Sequence, residues 1–380
     1  MSCIATKIII TRLKPQLAIL LRSRGERVCL TVASSVFIYF AAEFYILGII
    51  TNQARFQRWS EKLNIHFDRL GSAIWALRDR VGAEFAVDLG TTNTRMYMRG
   101  RGVFVDEPSM IAMNLRDGRP VAVGSDARDM IGRSSNGVAL HKPLGNGVIA
   151  DTEYAALMLR YFLGKARQNN FPRWYKMAVS SPCSSTKLER RAIIEAATQS
   201  GAGKVFLAPT LIAAAIGVGF KIDSPKSRML ALLGGGVCEV GIIGIGHVIY
   251  SGATRVGGEI IDSTIYEYLL RRYNIQITME MADNIKRTLL YAESSSTLGE
   301  TMRVTGRGVG KGGLKTVEIG STEISKAAEP HINLIVDLIQ EAIDNSSPAV
   351  LSDLEKVPIV LTGGLSMLHG LPELIEKMTG

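Results

Sequence analysis

The sequence predicts an α/β protein behind an N-terminal membrane segment, and two observations carry that prediction. From Glu84 onward, short apolar strands alternate with glycine turns and intervening helical stretches, a pattern typical of α/β folds. Before it, a 23-residue run from 28 to 50 contains one charged residue, Glu43. The length of 380 residues exceeds one ordinary core and favours two domains or a bilobed one.

The apolar run is long enough to cross a bilayer, since 1.5 Å per residue gives a helix of about 34 Å. A buried core helix is the alternative, but such helices rarely stay apolar on every side for this length. A signal peptide fits less well because the run starts late and no clear cleavage site follows it. Six Lys or Arg residues lie on each side of the run up to Arg80, so charge does not give its orientation.

The stretch that follows predicts an amphipathic helix, because apolar residues recur at spacings of three and four while cationic residues occupy other faces. This helix can lie on a membrane, pair with a copy of itself or pack on the folded part, and the stripe alone does not choose. Residues 1–84 are therefore predicted to be a membrane anchor and an amphipathic helix. The apolar stripe consists of Phe56, Trp59, Leu63, Phe67, Leu70, Ile74, Leu77 and Val81.

Composition favours contact with lipid over contact with nucleic acid. Hydrophobic residues make up 47% of the chain, and the net charge is +9. Residues 1–84 carry 12 Lys and Arg against 6 Asp and Glu, whereas the rest carries 32 against 29. A basic segment beside an apolar run is drawn to anionic lipid, while a nucleic-acid binder is expected to show a basic face on its folded part. The 4 cysteines lack CxxC spacing, which fits a reducing compartment.

Three turns rich in glycine each follow a predicted strand. The first begins at Asp88, whose carboxylate is suited to hold Mg²⁺ through water, and it offers backbone N–H and hydroxyl donors to a phosphate. Taken alone, an ordinary Asp-Gly hairpin explains it equally well. The second follows the strand MLALL and the third follows VPIVL. The three turns contain Gly90, Thr91, Asn93 and Thr94, then Gly234, Gly235 and Gly236, then Gly363 and Gly364.

Three such turns in this order resemble the two phosphate loops and the adenosine loop of the actin, Hsp70 and sugar-kinase superfamily. Within that superfamily the chain is similar to the MreB family of bacterial actins over residues 85–380, in motif order and in spacing. The segments that carry the resemblance are GVFVDEPSMIAMN, VGSDARDMIGR, GNGVIADTEYAALMLRYF, LERRAIIEAATQSGAGKVFL, AAAIGVG, TRVGGEIID and VLTGGLSML.

The resemblance implies an actin-like bilobed ATPase fold of two RNase H-like lobes, here residues 85–223 and 224–380, around a cleft for ATP and Mg²⁺. It implies that the glycine-turn residues named above contact nucleotide and that Asp88 serves the metal. It also implies that Asp283 and Lys286 lie on the helix that meets the nucleoside, although a Glu usually stands at the position of Asp283.

The same resemblance exposes losses at the positions that serve hydrolysis. Thr210 falls where the family has its water-orienting Glu, and Leu232 falls where an Asp precedes the second phosphate loop. Val237 and Cys238 replace a pair of hydroxyl residues, and Leu365 replaces a third glycine of the adenosine loop. Because hydrolysis depends on an oriented water and a neutralised γ-phosphate, we predict a degenerate ATPase that binds nucleotide and hydrolyses little.

A loop in the first lobe matches the stretch that dips into lipid in MreB. It interleaves the aromatics Phe171, Trp174 and Tyr175 with cations, as is typical of a bilayer interface, although an aromatic lid over a core is the alternative. We therefore predict three membrane-contact residues in this loop.

The predicted function is a structural one: an MreB-like filament, or a modulator of one, bound to the inner membrane with its folded part on the cytoplasmic side. The expected partners are a copy of itself or another MreB-type protofilament, membrane lipid and membrane proteins of cell-wall synthesis, with no nucleic acid. The alternatives are an ATP-hydrolysing cytomotive filament and a magnetosome actin of the MamK type. An Hsp70-type chaperone and a sugar kinase are disfavoured, since no substrate domain follows and no catalytic Asp is evident.

Overall fold

The computed structural model describes residues 83–133, 137–166, 175–296, 299–310 and 312–380, together with the backbone of a two-residue strand, β1 (Thr31–Val32). The predicted membrane helix and amphipathic helix otherwise lie outside the described residues, and both remain predictions. Within the described ranges, no helix is long and apolar enough to cross a membrane.

The first sheet is built from a meander and two parallel strands. Its order is β11-β10-β2-β3-β4, with β2, β3 and β4 antiparallel and with β10 and β11 added parallel beside β2. The strands are β2 (Ala83–Leu89), β3 (Asn93–Met98), β4 (Gly102–Pro108), β10 (Tyr175–Ser181) and β11 (Lys204–Pro209).

The alternation of buried side chains along β2 shows which face of this sheet packs on the core. Phe85 and Val87 are buried in the core formed with α2 (Thr152–Ala166) and α3 (Lys187–Gln199). Because side chains alternate along a strand, Asp88 points to the opposite face. A capping box at Thr186 starts α3 and so fixes the loop between β10 and that helix.

Smaller elements extend from this sheet. One is a three-stranded sheet with a short helix, and another is a two-stranded hairpin. The elements are β5 (Ile111–Asn114), β6 (Pro120–Val123), α1 (Ser125–Arg128), β7 (Val138–His141), β8 (Leu144–Gly145) and β9 (Val148–Ile149).

The second sheet repeats the plan of the first. In the order β1-β18-β12-β13-β14, three antiparallel strands form a meander and β18 lies parallel beside its first strand. The elements of this part are β12 (Arg228–Leu233), β13 (Cys238–Gly244), β14 (His247–Thr254), α5 (Gly258–Tyr273), β15 (Ile275–Gln276), α6 (Met279–Leu289), β16 (Thr301–Gly308), β17 (Leu314–Gly320), α7 (Ser321–Asp344), α8 (Pro348–Leu354), β18 (Val360–Thr362) and α9 (Leu371–Thr379).

Helix α4 (Thr210–Gly217) joins the two sheets. Its residue Leu211 is fully buried in a cluster that contains Tyr97 of the first sheet and Leu230 of the second. A Cβ at Gly241 on β13 would lie 2.7 Å from Leu211 Cδ1, so a larger residue there would force the buried Leu211 side chain to shift. The shared core holds the carboxyl ends of β2 and β12 near one another.

Candidate functional site

The three predicted glycine turns converge at one place. A Cβ at Gly236 of the second turn would collide with the hydroxyl of Thr91 in the first, and one at Gly235 would collide with the hydroxyl of Thr92. A Cβ at Gly363 of the third turn would collide with the carbonyl of Leu233, where the second turn begins. The fold therefore brings the three turns together, as the resemblance implies.

The N-terminus of α5 supports the second turn from behind. The N–H of Gly258 donates to the carbonyl of Gly234 at 3.1 Å, and that of Glu259 donates to the carbonyl of Gly235 at 2.8 Å. A Cβ at Gly257 would lie 2.5 Å from the same Gly235 oxygen. These contacts hold the backbone of the second turn in a defined shape.

The β8–β9 hairpin lies against both turns. The N–H of Gly147 donates to the hydroxyl of Thr91 at 2.9 Å. Gly147 has a φ of 79°, and a Cβ there would lie 2.9 Å from Val237 Cβ. Val237 thus makes apolar contact with this hairpin, in a position where the family has a hydroxyl residue.

Asp88 lies at the end of β2 among polar neighbours. Ser180 Oγ on β10 donates to its carboxylate at 3.0 Å, and Arg95 Nη1 on β3 lies 3.7 Å from Asp88 Oδ2. Arg95 Nε also lies 3.1 Å from Asp106 Oδ1 on β4. Burial raises the pKa of Asp88, while the positive charge of Arg95 opposes that rise.

These residues fit a divalent cation poorly. Mg²⁺ binds oxygen ligands, and the expected one here is the Asp88 carboxylate. The guanidinium of Arg95 already lies beside that carboxylate as its cation. The position expected to supply a second carboxylate holds the apolar Leu232. Among the described residues, no group of three or more His, Cys, Asp and Glu side chains is placed to hold a metal ion. The expectation of Mg²⁺ at Asp88 therefore lacks support from the surrounding side chains.

Thr210 has a buried partner that the sequence did not predict. Its hydroxyl donates to the carboxylate of Glu239 on β13, which also accepts the N–H of Cys183 at 2.7 Å. Glu239 is 1% exposed, and this burial raises its pKa. A carboxylate from the second sheet thus binds groups that follow β10 and β11 of the first sheet.

Leu232 packs rather than coordinates. It is half-buried and packs against the apolar α4 cluster, as Cys183 and Ile212 also do. Cys238 is fully buried, and burial raises the pKa of its thiol to about 12, so it is no nucleophile at neutral pH. The positions that resemblance assigns to polar chemistry are apolar or inert here.

The structure places Asp283 and Lys286 on α6, close to the second turn. Lys286 Nζ donates to the carbonyl of Gly258 at 3.2 Å and pairs with Asp262 at 2.7 Å and with Asp283 at 2.9 Å. Burial raises the pKa of Asp262 to about 6, and the Lys286 charge opposes that rise. This ammonium is already satisfied by oxygen acceptors, so its predicted nucleoside contact remains a prediction.

Two ion pairs connect the parts of the chain that carry the two sheets. Arg255 Nη2, after β14, lies 2.7 Å from Glu189 Oε1 on α3, and Lys142 Nζ lies 2.8 Å from Glu259 Oε1 on α5. Bonds from Thr186 lower the pKa of Glu189, and Arg255 lowers it further. The two pairs therefore connect the two halves beside the turns.

One predicted membrane-contact residue is placed differently. Tyr175 is 5% exposed, its ring packs on Phe85 at a centroid distance of 5.4 Å, and its hydroxyl donates to the Ser200 carbonyl at 3.0 Å. The prediction that Tyr175 contacts lipid is wrong, because this residue begins strand β10 and belongs to the core. Phe171 and Trp174 lie outside the described residues.

Sequence reasoning gave no role to Arg95, Glu239 or Glu259. The sequence does indicate a contact of Arg95 with Asp88, because the short turn after β2 places the two residues directly opposite each other in the hairpin. The contacts of Glu239 and Glu259 join positions far apart in the chain, and no local sequence pattern predicts them.

The fold is the mixed α/β fold of actin-like proteins. The crystal structure of MreB5 of Spiroplasma citri bound to AMPPNP matches with a TM-score of 0.73 and 28% identity, covering 78% of this chain and 89% of that one. The MamK double helical filament matches with a TM-score of 0.64 at 19% identity, covering 78% of this chain and 90% of that one, and it supports the fold alone.

The chain belongs to the MreB/Mbl family, whose model, described as MreB/Mbl protein, matches residues 82–380. Cell shape-determining protein MreB of Escherichia coli K12 is 35% identical over 302 residues, which is 78% of this chain and 87% of that protein. Cell shape-determining protein Mbl of Bacillus subtilis 168 is 30% identical over 294 residues, which is 77% of this chain and 88% of that protein.

Proposed function

We propose that this chain is a cell-shape actin homologue that forms filaments, or modulates those of a relative, and that it binds ATP with little hydrolysis. The observation that carries the proposal is the convergence of three glycine turns at a site where Leu232 packs against apolar neighbours and Thr210 is hydrogen-bonded to Glu239. The relatives named for cell shape and the MreB5 structures with AMPPNP and ADP support the choice of role and ligand.

We propose further that the two sheets are the cores of two lobes that meet near residues 223 and 224. The apolar run 28–50 would hold the protein in the inner membrane with both lobes in the cytoplasm, and Phe171 and Trp174 would add lipid contact. The partners would be a second copy or an MreB-type protofilament, and membrane proteins of cell-wall synthesis. These placements rest on the sequence, and membrane extraction with a reporter at Gly380 tests them.

An ATP-hydrolysing filament is the second candidate, and Glu239 is the observation that favours it. Glu239 is a buried carboxylate that accepts a hydrogen bond from Thr210. Thr210 falls where the resemblance puts the water-orienting Glu. Its donors are all internal, however, so it has less capacity left to orient a water. The MamK-type alternative rests on fold alone.

The deciding experiment compares the purified full-length chain with E. coli MreB under identical conditions. Binding of a fluorescent ATP analogue, phosphate release per site and sedimentation are measured together. We expect binding and lipid-dependent sedimentation with phosphate release far below that of the relative. Turnover equal to that of E. coli MreB, and lost in Glu239→Gln, would replace the proposal with the ATPase.

A further inference from the structure

Arg95 is a cation beside the start of the first turn. It stands opposite Asp88 across the β2–β3 hairpin and opposite Asp106 across the β3–β4 hairpin. Its side chain is 16% exposed and ends in a planar, positively charged guanidinium. The residue therefore places a fixed positive charge at the root of the first turn, on the sheet face that packs toward α4.

The guanidinium is in ion-pair range of both carboxylates but makes a hydrogen bond to neither. The Nη1 to Asp88 distance of 3.7 Å is too long for a hydrogen bond. Nε is buried and, although it lies 3.1 Å from an Asp106 oxygen, it has no hydrogen-bond partner among the described residues. Buried N–H groups are nearly always satisfied, so an unsatisfied one beside a candidate binding site points to an acceptor that comes with a ligand.

Other cations beside the turns differ in this respect. Lys142 Nζ is hydrogen-bonded to Glu259 at 2.8 Å, and Lys286 Nζ lies 2.7 Å from Asp262 and 2.9 Å from Asp283. Each ammonium therefore donates at least one hydrogen bond, Lys142 to Glu259 and Lys286 to the Gly258 carbonyl, whereas Arg95 Nε donates none among the described residues. Arg95 keeps donors in a planar arrangement that matches two oxygens of a phosphate group.

The poor fit of a divalent cation at Asp88 also favours Arg95 as the group that meets a phosphate. Asp88 has Arg95 as its neighbour, and Leu232 offers no ligand. A divalent ion at Asp88 would have to displace the guanidinium or lie beside a like charge. A phosphate at this place therefore meets a cation that the chain itself supplies.

We infer that Arg95 takes the place of the divalent cation, so that this site binds nucleoside di- and triphosphates without Mg²⁺. The inference rests on the proposed nucleotide binding and deepens it by naming the group that neutralises the phosphates. The ligand class is a nucleotide in its metal-free form.

The test measures binding of a fluorescent ATP analogue to the full-length chain in Mg²⁺ and in EDTA. The wild-type affinities in the two conditions are expected to agree within about twofold. Arg95→Met should weaken binding in EDTA at least tenfold, and added Mg²⁺ should restore part of it, because Asp88 then lacks a cation. Arg95→Lys, which keeps the charge but loses the planar pair of donors, should bind in EDTA more tightly than Arg95→Met and less tightly than wild type. Arg116→Leu, the same loss of charge at an exposed turn outside the site, should behave as wild type.

Wild-type binding that falls tenfold or more in EDTA would overturn the inference and leave the proposed function standing. Wild-type binding in neither condition would overturn both. Thermal unfolding of each variant is followed in parallel, and if Arg95→Met fails to fold, the wild-type comparison and Arg95→Lys still decide. Equal binding of a folded Arg95→Met and wild type in EDTA would also refute the role of Arg95.

Discussion

The hydroxyl of Thr210 donates a hydrogen bond to the carboxylate of Glu239, and this bond ties the start of α4 to the second sheet. The same carboxylate accepts the N–H of Cys183 in the loop after β10. Glu239 therefore acts as a buried connection between the two halves, next to Thr210, which falls where the resemblance puts the water-orienting Glu. We therefore expect changes at Glu239 to affect stability, the packing of the two halves and any restored hydrolysis.

The first prediction concerns the pH dependence contributed by Glu239. Burial raises its pKa in the folded chain above its ordinary value of 4.5, so the folded state binds the proton more tightly than the unfolded state. This contribution to stability is complete below the ordinary pKa and is lost as pH rises through the raised one. Urea unfolding at about pH 5 and about pH 8 should show a smaller loss in Glu239→Gln than in wild type.

The control is Glu195→Gln, which removes a charge from the exposed face of α3. It should leave the wild-type pH dependence unchanged. An identical pH dependence in wild type and Glu239→Gln would mean that the Glu239 carboxyl titrates alike in the folded and unfolded chain.

A second prediction concerns the ion pair between Arg255 and Glu189. The guanidinium is 52% exposed, so the pair should contribute only about 0.5 kcal/mol to stability in a double-mutant cycle with Gln at both positions. The coupling energy should shrink further at about 1 M salt, where the Debye length is about 3 Å. A coupling above about 2 kcal/mol that persists in high salt would show that the pair is a rigid part of the interface.

The third prediction separates two adjacent glycines of the third turn. Gly363 has a φ of 93°, and a Cβ there collides with the Leu233 carbonyl, whereas a Cβ at Gly364 meets nothing within 4 Å. Gly363→Ala should therefore cost about 2–3 kcal/mol and disrupt nucleotide binding, while Gly364→Ala should stay within about 0.5 kcal/mol of wild type. Denaturant unfolding and analogue titration check the pair, and equal stabilities would contradict the steric argument.

The contrast between Gly363 and Tyr175 shows what the sequence can and cannot supply. Three glycine turns in family order predicted the convergence of the strand ends, because turn chemistry is local and the fold repeats. The aromatic and cationic neighbours of Tyr175 predict a loop at the membrane, yet Tyr175 begins a strand whose residues are nearly all buried. The Arg95–Asp88 pair was accessible from hairpin register. The Thr210–Glu239 bond was not, since it depends on how α4 packs between two sheets.

The fourth prediction concerns lipid contact. We expect deletion of residues 1–84 to weaken binding of the chain to anionic liposomes, and Phe171→Ser with Trp174→Ser to abolish what remains, because the N-terminal segment and the aromatic loop contact lipid separately. Leu314→Ser serves as the control, since it removes an apolar side chain that is 87% exposed on β17. Flotation is the measurement. Complete loss of binding on the deletion alone would assign membrane contact to the N-terminal segment only.

The last prediction concerns restoring hydrolysis, and it depends on removing one carboxylate while adding another. Thr210→Glu alone puts a second carboxylate against the buried Glu239, and two such groups cannot both ionise at close range. The folded pKa of the pair rises, so the variant should lose about 3 kcal/mol near neutral pH and recover part of it as the pH is lowered. Thr210→Gln, which has the same size without the charge, should lose less.

Adding Glu239→Gln to Thr210→Glu leaves a single carboxylate at the water-orienting position and should restore most of the lost stability. Leu232→Asp and Val237→Thr in that background supply the other missing polar groups. One preorganised group is commonly worth about a hundred- to a thousandfold in rate, so phosphate release should rise above wild type only in the combined variant. Release that rises equally with Thr210→Glu alone would show that Glu239 does not compete with the new carboxylate for this position.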